Sequence, residues 1–337
     1  MIYTSTGFEE QAASDLKQAQ ANAMANQSGN VLGMAMFCAQ QSMEKRLKSI
    51  VLKLDEELKI GLDEKFYKKR LGHAVYSRPK ELYLRCFKAI GFPRGLDDRG
   101  ALESARQGLY EDIKVGYDYL EKLGETWQPR FFDRHTQELL MQHSLRVPLP
   151  DSELKELDRY IRKVLDKVYK DTGFSVHVSR FGNKEPSAGM VSIISDSRLL
   201  EGSRRLYAER DQLVIELSNN ENLFMSGVLK VKKIRGELKA GEVSPKDAKR
   251  LVGVEVVEYA IPSLARFSSP YLRTYPHHEL GRYPQKLSSG KMTTDIYAAQ
   301  RNDVLYELFV VADYNHTRMS YVSKHVDDFC RIYNNVG

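Results

Sequence analysis

The sequence predicts a mainly α-helical protein, with an antiparallel helical bundle at the N-terminus and an α+β extension at the C-terminus. The N-terminal part is rich in Ala, Gln, Glu and Lys, and its apolar residues recur at three- and four-residue steps, which is typical of amphipathic helices. Alternating β-branched residues, which favour strands, are concentrated near residues 173–197. We therefore expect a short β hairpin there and helices in most of the remaining chain.

The chain length and one Pro-rich segment predict two domains. A length of 337 residues is typical of about two domains. The segment VPLPDS, at residues 147–152, is the best candidate for a boundary, because proline ends helices. We expect a helical bundle over residues 1–147 and a mixed, mostly helical domain over residues 148–337.

The first two predicted helices span residues 8–27 and 31–58, and Ser28-Gly29-Asn30 separates them. Two long helices joined by so short a turn are expected to pack antiparallel. In the second helix we expect one apolar stripe with charged residues opposite, where Glu44 and Lys48 form a solvated i,i+4 pair.

Periodicity and capping signals predict further helices over residues 78–90, 102–123, 133–145, 152–169, 199–217, 244–259 and 295–333. Residues 262–289, between the last two, are predicted to form a long loop, dense in Pro, Ser, Tyr and His. Loops of this length are usually functional or disordered, and the aromatic residues favour order here.

The composition excludes several classes of protein. The mean hydropathy is −0.47, and an apolar run long enough to span a membrane is absent from the sequence. We therefore expect a cytoplasmic protein that does not bind membranes. The three cysteines, Cys38, Cys86 and Cys330, are widely spaced and predict buried thiols rather than a disulfide framework or a metal site. Walker A, GxGxxG, HExxH and GxSxG motifs are also absent, so the sequence predicts no cofactor.

Positive charge is concentrated in two places, although the net charge is only +6. Residues 65–80 contain six cations and no acid, and residues 230–250 contain eight cations against three acids. Such clusters attract phosphate-rich partners, while the simpler interpretation is a solvated face. The candidate nucleic-acid-binding residues are Lys68, Lys69, Arg70, His73, Lys232, Lys233 and Arg235.

One segment resembles a known family. Residues 39–50 read AQQSMEKRLKSI, and residues 71–75, which follow a basic stretch, read LGHAV. These segments resemble the second helix of the HEPN domain, typically A-x-Q-A-x-E-K-x-L-K-A, and its G-H-D-L turn, with Ala74 in place of the aspartate. The likeness covers residues 8–76 directly and extends over the bundle to about residue 146. Residues 282–284, Arg-Tyr-Pro, also resemble a motif that follows this histidine in some members.

The resemblance implies an up-and-down helical bundle, commonly dimeric, of the kind found in prokaryotic toxin–antitoxin and other defence systems. Many members are metal-independent RNases whose signature is Arg-x4–6-His near the start of a late helix. In that chemistry Arg stabilises the scissile phosphate and His acts as general acid or base. Three pairs here have the spacing: Arg130/His135, Arg273/His278 and Arg318/His325. Placement in the bundle favours Arg130/His135 as the catalytic pair.

The expected function is therefore RNA binding, and the resemblance implies metal-independent endoribonuclease activity in a defence or toxin role. The expected partners are RNA, a second copy of the chain and an antitoxin or defence protein. The alternative is a non-catalytic helical module that binds a nucleotide or a partner protein through the Gly72-His73 turn. A strongly salt-dependent RNA affinity would favour the first.

Overall fold

The computed structural model describes residues 4–67, 79–92, 99–100, 110, 113–114, 117, 133–161, 224–267, 271 and 274–336. Within these residues the protein is mainly helical, as the sequence predicts, and it contains no strand. An isolated antiparallel bridge joins Lys286 and Met292. The predicted hairpin near residues 173–197 and the predicted helix 199–217 lie outside the described residues, as does most of 102–123.

Eleven α-helices are followed through the described residues, labelled here in chain order. Their bounds are α1 Ser5–Ala25, α2 Gly29–Leu58, α3 Pro79–Ala89, α4 Arg134–Ser144, α5 Asp151–Ile161, α6 224–239, α7 Pro245–Arg266, α8 His277–Leu280, α9 Thr293–Ala299, α10 Arg301–Tyr306 and α11 Asp313–Asn334. A π-helical turn, Glu307–Ala312, joins α10 to α11.

Helices α1 and α2 pack antiparallel, which confirms the predicted hairpin. The hydroxyl of Ser5, at the start of α1, donates to the Glu56 carboxylate near the end of α2, with 2.6 Å between oxygens. Further along α1, the Asp15 carboxylate lies 2.6 Å from the ammonium nitrogen of Lys45. The Asn26 side chain accepts a bond from the Ser28 N–H and shapes the turn between the helices.

Helix α2 is the central element of the fold. Helices α1, α8, α9 and α11 pack around it, and 20 of its 30 residues are buried. The expectation of a solvated charged side is wrong for Glu44 and Lys48. These two residues form the predicted ion pair at 2.6 Å, but they are only 4% and 9% exposed. The buried Tyr271 lies beside the pair, with its hydroxyl 3.5 Å from the Glu44 carboxylate.

The apolar core is continuous across the boundary predicted at residues 147 and 148. One cluster of buried residues includes Ile50 from α2 and Leu140 from α4, together with Val257 from α7 and Phe329 from α11. The described parts of the two predicted domains therefore share this core.

The region predicted as a loop, residues 262–289, is partly helical. Helix α7 continues through Pro262 to Arg266, and α8 follows at His277–Leu280. Ile261, Leu264 and Phe267 recur at three-residue steps and are almost fully buried. Their burial offsets the cost of proline inside a helix, about 3 kcal/mol. The aromatic residues Phe267 and Tyr271 are ordered in the core, as expected from the sequence.

The last predicted helix, residues 295–333, is divided. Gln300 has φ −101° and ψ 30° and ends α9, and the π-helical turn separates α10 from α11.

Helix α6 was not predicted from the sequence. Its apolar residues Val231, Ile234 and Leu238 have helical spacing, but the cations between them make this pattern weak. The predicted starts of α4 and α7 are confirmed, because Asp133 and Ser244 accept bonds from Thr136 N–H and Asp247 N–H.

No helix among the described residues combines the length and the apolar character needed to cross a lipid bilayer.

Close packing at the start of α2 gives a stability prediction. A Cβ atom on Gly29 would lie 1.9 Å from the backbone oxygen of Thr294, at the start of α9. Because backbone must shift to admit it, we expect Gly29→Ala to lower the free energy of unfolding by about 3 kcal/mol. Gly236→Ala is the matched control, since a Cβ there meets nothing within 4 Å. We expect it to raise stability by about 0.5–1 kcal/mol, and equal effects of both changes in urea unfolding would contradict the packing.

A polar network joins α1, α2 and α11. The Arg46 guanidinium lies 3.3 Å from the Glu9 carboxylate and donates to the Ser320 hydroxyl. Lys53 binds Asp327 at 2.7 Å on the same side of α2. His316 faces this network, and its Nε2 is buried with no hydrogen-bond partner among the described residues. Burial and the nearby Arg46 charge therefore favour the neutral form of His316.

The position of His316 predicts a pH dependence of stability. Burial and the Arg46 charge lower its pKa to about 4, although Asp313 and Glu9 act in the opposite direction. The unfolded chain, with the ordinary pKa of 6.5, binds this proton first as the pH falls. Protonation therefore favours unfolding between pH 6.5 and 4. We expect the Tm of the wild type to fall more steeply over this range than that of His316→Gln, and parallel curves would refute the assignment.

Candidate nucleic-acid interface

Helix α6 presents a basic side to solvent. It packs on the core through Gly227, Val231 and Ile234, which are buried. Gly227 is required for this approach, because a Cβ there would lie 2.6 Å from the Phe329 ring on α11. The period of 3.6 residues then directs the predicted residues Lys232, Lys233 and Arg235 away from the core, and all three are exposed.

Most of this positive charge is uncompensated. Lys230 lies 3.4 Å from Glu255, and Lys233 lies 3.9 Å from Glu237, at the edge of the ion-pair distance. In the part of the chain that the structure describes, Lys232, Arg235 and Lys239 form no ion pair and all three are exposed. A row of unpaired cations on a helix is the arrangement that phosphate backbones bind.

Two large apolar side chains share the exposed side of α6. Met225 is 47% exposed and Leu229 is 61% exposed, and they lie one turn apart, before Lys232. The exposed side therefore combines apolar area with positive charge. The cations are apparent from the sequence, whereas Met225 and Leu229 are not, because their helix was not predicted.

The predicted catalytic histidine lies in the first turn of α4. The His135 side chain is 48% exposed, and its Nε2 lies 3.6 Å from the Glu156 carboxylate on α5. A half-exposed imidazole held beside a carboxylate is suited to proton transfer. Arg130, its predicted partner, lies outside the described residues.

A second arginine in the same turn has a structural role. The Arg134 guanidinium binds Glu138 at 2.8 Å and approaches Glu279 on α8 at 4.0 Å. Burial alone would raise the pKa of Glu138, but bonds from Arg134 and the Ser288 N–H hold it below its ordinary value. The ionised Glu138 thus ties α4, the helix that carries His135, to the turn that precedes α9.

The other two pairs with the Arg-x4–6-His spacing are less accessible. Arg318 and His325 are 3% and 8% exposed. The Arg318 guanidinium covers the Phe267 ring, and the His325 ring stacks on Phe224 with 3.9 Å between ring centroids. His278 is partly buried and its Nδ1 lies 2.8 Å from the Tyr275 carbonyl oxygen. His135 is therefore the most exposed of the three histidines.

The remaining candidates lie elsewhere. Lys68, Lys69, Arg70, His73 and Arg273 are outside the described residues, so the predicted roles of the 65–80 cluster and of the Gly72-His73 turn stay predictions. Across the described ranges, His, Cys, Asp and Glu side chains do not gather in a group of three that could hold a metal ion.

Comparisons with known proteins found no matching family model, no matching curated protein and no matching solved structure.

Proposed function

We propose that this protein binds RNA through the exposed cations of α6, as a helical protein of the HEPN kind. The observation that carries the proposal is the uncompensated charge of Lys232, Arg235 and Lys239 on one exposed helix. The cations of such a row displace counterions that are condensed on the RNA phosphates, so the affinity arises without base recognition.

The packing of α2 supports the resemblance to the HEPN domain. The second-helix motif, residues 39–50, lies in the helix that the rest of the fold surrounds. The Arg282-Tyr283-Pro284 segment comes back to that helix, because the Arg282 guanidinium lies 5.5 Å from the Phe37 ring centroid. An insertion between the two motifs is compatible with this contact.

The test is the salt dependence of RNA affinity. We expect the logarithm of the association constant for a single-stranded RNA to fall linearly with the logarithm of salt concentration. Three phosphate contacts predict a slope of about −2 or steeper, since each contributes about −0.7. Fluorescence anisotropy between 50 and 300 mM salt measures it. An absence of RNA binding at low salt would refute the proposal and favour the protein-binding alternative.

The position of His135 favours a second function, metal-independent RNA cleavage. The general acid or base of such a reaction must reach the substrate, and His135 is exposed in the first turn of α4. Arg130 would stabilise the scissile phosphate. The homodimer, the antitoxin or defence partner and the cytoplasmic location remain part of this proposal through the family resemblance. Sedimentation of the purified protein tests the dimer.

A further inference from the structure

The segment after α8 carries an exposed aromatic ring on a fixed backbone. Tyr283 is 56% exposed, and the Arg282 guanidinium lies over its ring, 5.0 Å from the centroid. The same guanidinium lies 5.5 Å from the ring centroid of Phe37 on α2. Arg282 thus contacts two aromatic rings, one half-buried in the fold and one open to solvent.

The backbone before Tyr283 is anchored to α2. A Cβ atom on Gly281 would lie 2.5 Å from the Gly33 oxygen, and one on Gly33 would lie 2.9 Å from the Gly281 oxygen. This approach brings the two backbones into direct contact. The Gly281 N–H also donates to the His277 oxygen at 3.1 Å, and His277 is fully buried.

The backbone after Tyr283 is anchored as well. The Gln285 N–H donates to the Thr293 hydroxyl, and the Thr293 N–H donates to the Gln285 oxygen at 2.9 Å. Lys286 and Met292 form the bridge that closes this turn. Because the backbone is fixed on both sides of Tyr283, this segment loses little further conformational entropy when a ligand stacks on the ring.

The positive charge of the segment favours a ligand that carries negative charge. Residues 280–294 contain Arg282, Lys286 and Lys291 and no acidic residue, and all three cations are exposed. None of the three forms an ion pair with another described residue. Glu279, the acid that precedes the segment, lies 4.0 Å from Arg134. An exposed aromatic ring on a segment that carries three exposed cations and no acid matches an unpaired base on a phosphate backbone better than an apolar or cationic partner.

We propose that Tyr283 is a stacking site for an unpaired nucleobase, and that the protein consequently prefers single-stranded RNA to duplex RNA. This inference rests on the proposed RNA binding but uses a different set of residues from α6. The cations of α6 bind phosphates of either form, whereas a base reaches an aromatic ring only when it is unstacked.

The experiment compares four proteins on two probes. The proteins are the wild type, Tyr283→Ala, Tyr283→Phe and Tyr321→Ala, where Tyr321 is a matched tyrosine on α11 with 52% exposure. The probes are a 12-nucleotide single-stranded RNA with one 2-aminopurine and a 12-base-pair RNA duplex. We expect Tyr283→Ala to weaken single-strand binding by about 5- to 150-fold and to abolish quenching of the 2-aminopurine. Tyr283→Phe, Tyr321→Ala and every duplex affinity should stay within about two-fold of the wild type.

The outcomes separate this inference from the proposed function. Salt-dependent RNA binding by the wild type with no loss in Tyr283→Ala would overturn the stacking site and leave the role of α6 intact. Equal losses on single strand and duplex would also overturn it, because stacking requires an unpaired base. A wild type that binds neither probe would overturn both proposals.

Discussion

His135→Ala is expected to remove RNA cleavage while it leaves RNA affinity within about two-fold of the wild type. A residue that transfers a proton acts on the transition state more than on binding, so the loss in rate should be about 10²- to 10⁴-fold. The exposed His135 imidazole lies beside the Glu156 carboxylate on α5. It is not one of the α6 cations that we propose bind RNA, so its loss should leave the affinity nearly unchanged. Cleavage of a labelled single-stranded RNA with chelator present measures the effect.

His143→Ala is the control on the same helix. His143 lies in the last turn of α4 and is only partly exposed, so its loss should leave the cleavage rate nearly unchanged. Arg130→Ala should reproduce the loss seen in His135→Ala, if the two residues act on one phosphate. Cleavage that survives His135→Ala would transfer the chemistry to another Arg/His pair. An inactive wild type would leave RNA binding as the function.

The triple variant Lys232→Ala, Arg235→Ala, Lys239→Ala is expected to bind single-stranded RNA about 100-fold more weakly than the wild type at 0.1 M salt. Each phosphate contact releases about 0.7 counterions, so three contacts raise the association constant by about two orders of magnitude at this salt concentration. All three residues are exposed on α6, so their removal should not disturb the core. The free energy of unfolding should therefore stay within about 0.5 kcal/mol of the wild type.

A matched variant separates local charge from net charge. Lys17, Arg301 and Lys324 are exposed on α1, α10 and α11, and their replacement by Ala lowers the net charge by three, as in the triple variant. We expect this control to lose less than about three-fold in affinity. Equal losses in the two variants would show that total charge, and not the surface of α6, attracts the RNA.

The sequence predicted the elements whose evidence is local. The antiparallel pair α1 and α2 follows from two long periodic segments around a three-residue break, and the starts of α4 and α7 follow from Asp133 and Ser244. Each helix and each helix start depends on residues that are close together in the chain, and the short turn between α1 and α2 is sufficient to predict that the two helices pack antiparallel. Helix propensity and capping are sufficient to predict them.

The features that sequence analysis missed depend on distant contacts. Glu44 and Lys48 have the spacing of a surface pair, but the chain returns more than 200 residues later and places the Tyr271 hydroxyl beside the Glu44 carboxylate. The extension of α7 beyond Pro262 has the same origin, because it is the burial of Ile261 and Leu264 that continues the helix. Local patterns do not predict which surfaces a remote segment covers.

In the candidate site, too, the features that depend on local sequence were predicted and those that depend on distant contacts were not. The cations of α6 are identifiable from composition, since residues 230–250 have a local excess of positive charge. That these cations are exposed and form few ion pairs is seen only in the structure. From the sequence, Tyr283 was one of the aromatic residues expected to order the 262–289 segment and part of an Arg-Tyr-Pro motif. The position of the Arg282 guanidinium, over both the Tyr283 ring and the Phe37 ring of α2, required the structure.

The most direct test of RNA binding by α6 is the salt slope of the triple variant against that of the Lys17, Arg301 and Lys324 control. If α6 contacts the phosphates, the slope of log K against log salt should become shallower by about 2 in the triple variant. The control should keep the slope of the wild type. A triple variant whose slope equals that of the wild type would contradict the account, because its three cations would then release no counterions on RNA binding.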